Sequence, residues 1–299
     1  MPASLRVDQG GNREVLGFLS LPAGTTADDT SDAIVKVADF PVSSGVTVPV
    51  WGTVTSPQLF GAPLGTYSPS AARWLPAPPE VVAPDGHHYV YVHPNGSLRL
   101  AGADGSELPV SNPNNLTPLA FTSSGVILVQ SGPASNGLWL LDPTTQSVSV
   151  ITPPAGADDW REVTGTIAFG VNSPGVLGAP APTAVLSAAI DAAGAPKTIY
   201  TAGAGSSIAF IAADRLGGVL IGVTGSAPRL VYLNGGVGPV AVTVPSGAVI
   251  ATIGPRHHAD AHGIWFLGRT GIFLFTPPST FQQIAAGTTT DVAPGGDCT

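Results

Sequence analysis

The chain has 299 residues, 43% of them hydrophobic and only 10% charged, with a formal net charge of −8. Lys36 and Lys197 are its only lysines and no basic stripe exists, which excludes neutralisation of a nucleic-acid backbone or of an anionic lipid surface. Its longest apolar runs, "GGVLIGV" and "GLWLL", fall far short of the roughly 20 residues of a spanning helix, so no membrane span is expected.

Residues 1–14 show no apolar leader core and are expected to form an unstructured tail. Residues 15–70 hold the strand-like runs "VLGFLSL" and "GVTVPVWGTV", interrupted by the polar "AGTTADDTSD". "SDAIVKVADF", Ser31 to Phe40, is the nearest approach to a helix, but its β-branched content suits a strand as well. The 38 glycines and 30 prolines punctuate short apolar runs instead of clustering, as many short strands with tight turns require.

From Ala83 onward a pattern recurs. A polar turn with Asp or Ser and Gly leads into an apolar strand, a Gly-containing turn and a second apolar strand. The leading residues are Asp85, Ser124, Asp214 and Asp260, at intervals of 39, 90 and 46. The long interval spans two periods, with the skipped unit near residue 169 carrying an insertion at Asn172–Pro182. In "GIWFLG", Ile264 and Phe266 face one way and Trp265 and Leu267 the other; both faces are apolar, as in a sheet packed between two others. A repeat of about 40–45 residues with four strands is the signature of propeller blades.

The sequence therefore predicts an all-β fold, a β-propeller of six four-stranded blades, with five or seven as alternatives. It forms a single domain over 15–286, and 287–299 is a second unstructured tail. The regular units run over about 71–110, 115–151, 160–203, 206–244 and 248–286. The third has no clear fourth strand. Residues 15–70 make a sixth, irregular blade, one strand of which closes the ring against the last unit.

"APDGHHYVYV" resembles the turn and strand of TolB-like and WD-repeat-like bacterial propellers. "DAHGIWFLGRTGIFLF" is similar to the repeat of two-component-regulator-type propellers and streptogramin lyases. The resemblance covers about residues 71–286. It implies architecture, not chemistry, because such propellers include scaffolds, sugar binders, lactonases and lyases. It also places the Asp-bearing turn on the face opposite the usual ligand funnel.

The densest polar motif is "HHADAH". If extended, it points His258, Asp260 and His262 to one side. Two imidazoles and a carboxylate suit a divalent transition metal with one position open to water. The competing reading makes Asp260 the equivalent of Asp85 and Asp214, a residue that holds a turn, and it is preferred. In "ADDWRE", Asp158, Asp159 and Glu162 lack a calcium-loop pattern and read as a solvated turn. Trp139 and Trp265 are expected in inter-blade packing; Trp74 and Trp160 are left between packing and sugar stacking. No Gly-x-Ser-x-Gly elbow or phosphate loop is present.

These features predict a non-catalytic monomeric binding module for a protein or carbohydrate, in the extracellular space or cell envelope, with no cofactor. The alternatives are a metal-dependent hydrolase or lyase, whose divalent metal would sit on His258, Asp260 and His262, and a sensor domain of a longer polypeptide.

Overall fold

The computed structural model describes residues 1–6, 13–23, 25–43, 46–53, 59–60, 65–93, 95–130, 137–152, 159–173, 180–234, 237–244, 257–268, 271–286 and 292–298. Six blades can be traced among them. The first contains β1 (Pro2–Arg6), β2 (Arg13–Ser20), β3 (Thr25–Ser43), β4 (Val46–Thr53) and β5 (Leu59–Phe60). A hairpin of β6 (Thr66–Ser68) and β7 (Arg73–Leu75) comes next. Blade 2 has β8 (His88–Val92), β9 (Leu98–Gly102) and β10 (Glu107–Val110). Its innermost strand is replaced by a 3-10 turn, Pro79–Val81, and a single bridge from Val82 to Tyr89. Pro78 and Pro79 lack the N–H groups a ladder needs, which is why this position carries no full strand.

Four regular antiparallel sheets complete the ring. Blade 3 is β11 (Leu116–Thr122), β12 (Gly125–Gln130), β13 (Leu138–Leu141) and β14 (Val148–Thr152). Blade 4 is β15 (Asp159–Thr164), β16 (Ile167–Val171), β17 (Ala184–Ala189) and β18 (Lys197–Thr201). Blade 5 is β19 (Ser207–Ala213), β20 (Val219–Thr224), β21 (Arg229–Asn234) and β22 (Val237–Val242). Blade 6 is β23 (His257–Asp260), β24 (Gly263–Gly268), β25 (Gly271–Thr276) and β26 (Thr280–Ala286).

The last strand, β27 (Val292–Pro294), pairs with β1 and lies against β23 and β24. It thereby becomes the inner strand of blade 1 and closes the ring. The described parts of the expected unstructured tails, 1–14 and 287–299, include strands: Ala3 pairs with Pro294 and Leu5 with Val292, while 7–12, 287–291 and 299 lie outside the described residues. A strand added from the other end of the chain satisfies the backbone edge that β1 would otherwise expose. A correction concerns blade 4, whose fourth strand is "KTIYT". That strand is half-polar and faces solvent, so it carries no apolar signature. Ser31 to Phe40 lies within β3, a strand.

Buried side chains collect between blades, not within one central core. Along β24, Ile264 and Phe266 pack toward blade 5 with Leu220, Leu230 and Tyr232, while Trp265 packs toward blade 1 with Ala3 and Leu19. Along β12, Val126 and Leu128 face blade 2 and Ile127 faces blade 4. The period-two alternation therefore distributes one strand's side chains between two interfaces. Blade 1 and blade 2 are joined through the hairpin. Trp74 packs on Leu16, its indole N–H donates to Asp29 at 3.4 Å, and Arg73 donates to the Ala103 carbonyl at 2.6 Å.

The repeating glycine after the first turn has a steric cause. Gly125 and Gly263 have φ of +132° and +136°, and a Cβ there would lie 2.5 Å and 2.2 Å from the Leu141 and Phe275 carbonyl oxygens of the third strand. Only glycine accepts both the dihedral and the close approach.

Candidate functional site

The ends of β11, β15 and β19 that turn into the second strand of their blades line a common cavity with β23. The first three of these strands carry a bulge at matching positions: between Pro118 and Ala120, between Trp160 and Glu162, and between Phe210 and Ala212. An extra residue in one strand re-aims the side chains beyond it. In blades 3 and 5 the re-aimed residue is alanine; in blade 4 it is Glu162.

The Glu162 carboxylate accepts the backbone N–H of Ala213 and bonds His257 Nε2. One side chain of blade 4 thus ties blade 5 to blade 6. His257 is largely buried and stacks at a tilt on Phe266, 6.1 Å between centroids. Burial works against its cation, but the hydrogen bond it donates to Glu162 and the charges of Glu162 and Glu80 outweigh it and raise its pKa. Its Nδ1 is buried with no hydrogen-bond partner among the described residues.

Beside this pair, Arg215 and His258 meet Asp297. Arg215 Nη2 and His258 Nε2 reach the same oxygen, Asp297 Oδ1, at 2.5 Å and 2.8 Å. Arg215 Nε donates to the Ala259 carbonyl at 2.9 Å, which fixes the guanidinium. Burial of Asp297 opposes its charge, but His258 and Arg215 prevail and lower its pKa. A cavity of about 270 Å³ opens among these groups, lined by Glu80, Glu162, Arg215, His257 and His258 together with apolar atoms of β11 and β23.

A second cavity, about 800 Å³, runs between blades 2 and 3 and shares Phe121 and Thr122 with the first. Its walls carry Asp85, His88, Glu107 and the exposed Leu108. Asp85 binds His88 Nδ1 at 2.7 Å, and Glu107 accepts the Tyr91 hydroxyl at 2.7 Å. Burial and the Glu107 carboxylate hold the Tyr91 phenol protonated far above its usual range.

The residues of the expected metal motif are dispersed. His258 turns to Asp297. Asp260 is buried and accepts the backbone N–H groups of His262 at 2.8 Å and Cys298 at 2.9 Å. His262 is mostly exposed, its Nδ1 3.3 Å from Asp260 and its ring against Trp265. Among the described residues no group of three or more His, Cys, Asp or Glu side chains is arranged to hold a metal ion. The strand ends at Asp260, so the extended geometry that would align all three does not continue to His262.

The solvated turn expected at "ADDWRE" is corrected: Asp159 and Glu162 lie in β15 (Asp158 is outside the described residues). Trp74, Trp139, Trp160 and Trp265 are all buried, which assigns Trp74 and Trp160 to packing and not to sugar stacking. Sequence reasoning missed the Glu162–His257 and Arg215–Asp297 pairs. They span 95 and 82 residues, and no local pattern marks them.

No family model matches the chain, and no curated protein does. Solved structures do. Oligogalacturonate lyase in complex with manganese aligns at 12% identity and a TM-score of 0.50, over 86% of this chain and 74% of that one. TolB from Acinetobacter baumannii aligns at 11% identity and a TM-score of 0.51, over 98% of this chain but only 65% of its own. At these identities the likeness is one of fold, and with the four-stranded sheets it makes this chain a β-propeller similar to TolB.

Proposed function

We propose that this propeller is a binding module whose ligand site is the mouth of the central channel, and that it works outside the cytoplasm on a carbohydrate or protein ligand. The observation that carries the reading is the convergence of Glu80, Glu162, Arg215, His257 and His258, from four blades, on one cavity. A rigid ring that holds such groups in place spends little entropy on ordering them when a ligand arrives. Glu162, Arg215, His257 and His258 already bond protein groups. That arrangement suits recognition through exchange of partners.

Titration of ¹⁵N-labelled protein with three probes tests this: a neutral cello-oligosaccharide, a pool of short peptides, and malonate. At least one is expected to shift the amide signals of Glu162, Ala213, Arg215 and His257–Ala259. Silence of those signals with all three, or shifts confined to Leu108 and its groove, overturns the assignment.

A further inference from the structure

Resting on that reading, we propose that Arg215 and His258 form a carboxylate-binding site and that Asp297 occupies it as a tethered internal ligand. Two donors from different blades meet on one oxygen of a third segment's carboxylate. This is how a protein grips a ligand acid: a guanidinium and an imidazole supply charge-assisted hydrogen bonds to one carboxylate. The donors are pre-positioned without it. Arg215 is held by the Ala259 carbonyl, and the His258 side chain is only 10% exposed within β23. Asp297, with 44% of its side chain exposed against 10% for His258, can turn out to solvent while His258 stays buried and Arg215, itself 50% exposed, stays held by the Ala259 carbonyl. The cavity beside the pair offers about 270 Å³, room for a small organic acid or the acidic end of a sugar.

A tethered carboxylate competes as a local concentration in the millimolar range, and an external acid binds only the fraction of molecules in which Asp297 has swung away. Freeing the site therefore strengthens external binding with no new contact.

The test tracks the His258 ring signals during titration with malonate, D-glucuronate and inorganic phosphate, in the native chain and in Asp297→Asn and Arg215→Gln. Malonate or glucuronate is expected to shift them. Asp297→Asn should lower the half-saturating concentration about tenfold, and Arg215→Gln should abolish the response. Malonate alone points to a free acid; glucuronate binding more tightly points to an acid displayed on a sugar. No response to either acid in a folded Asp297→Asn overturns the inference, as does an equal response in Arg215→Gln, or phosphate binding as well as malonate. If Asp297→Asn does not fold, the native chain decides: loss of the malonate response on Arg215→Gln supports the inference, and no response in the native chain overturns it. Should the cello-oligosaccharide or peptides move the channel mouth while the acids do not, the binding-module reading stands and only this inference falls.

Discussion

Asp214 and Asp85 occupy the same place in the repeat, yet removal of their carboxylates is expected to have different costs. Asp214 is 2% exposed. Its carboxylate accepts the N–H groups of Leu216 at 2.8 Å and Gly218 at 2.9 Å, and the hydroxyl of Tyr232 at 2.5 Å. Tyr232 is fully buried between blades 5 and 6, stacked at a tilt on Phe275. Asp214→Ala leaves the Tyr232 hydroxyl and the Gly218 N–H buried without acceptors, at about 1–3 kcal/mol each, while the Leu216 N–H rehydrates. The expected loss is about 2–6 kcal/mol. For a chain of this size that is a fall in Tm of roughly 3–10 °C. Asp85 bonds the N–H groups of His87 and His88 and the His88 ring, all exposed. Water replaces it there, and Asp85→Ala is expected to cost no more than about 1 kcal/mol. Urea unfolding of both variants, read as midpoint shifts at constant slope, measures the difference. Equal losses would refute the argument that burial of the turn carboxylate, and not its turn geometry, carries the stability.

The His257–Glu162 latch should show in the pH dependence of stability. Because the folded pKa of His257 is raised, its contribution is complete below the ordinary histidine value near ~6.5 and is lost as pH rises through the folded value. Tm is expected to fall between mildly acidic and mildly basic pH, and Glu162→Gln should flatten that slope; a native profile that rises with pH contradicts the latch. Asp297 has the opposite sign: its lowered pKa gives stability present above the usual carboxylate range near ~4 and lost as pH drops through the folded value. Gly263→Ala, with its Cβ 2.2 Å from the Phe275 carbonyl at φ +136°, should cost more than about 2 kcal/mol; Gly105→Ala, at φ +87° with open space around it, should cost about 1 kcal/mol. Denaturant midpoints compare the two. Since His258 bonds Asp297 while Asp260 holds the backbone N–H groups of His262 and Cys298, dialysis against a chelator is expected to leave Tm unchanged; a fall in Tm restored by one divalent metal would place a metal at this motif.

Whatever repeats locally was legible in the residues alone. Period-two alternation of apolar side chains placed Ile264 and Phe266 opposite Trp265, because a pleated strand leaves no other choice once both faces are buried. Turn chemistry marked Asp214 and Asp260 as holders of the chain, since a carboxylate beside a glycine binds the N–H groups that the turn exposes. Contacts between distant segments account for the remainder. Ring closure by Val292–Pro294 joins segments from opposite ends of the chain, and three residues of edge pairing leave no periodic trace. Glu162 turns toward Ala213 and His257 because a bulge breaks the alternation from which its direction would be read. Whether Arg215 faces solvent or an acid depends on where Asp297 arrives, 82 residues later. Charge pairs formed across a ring depend on distances that no local pattern encodes.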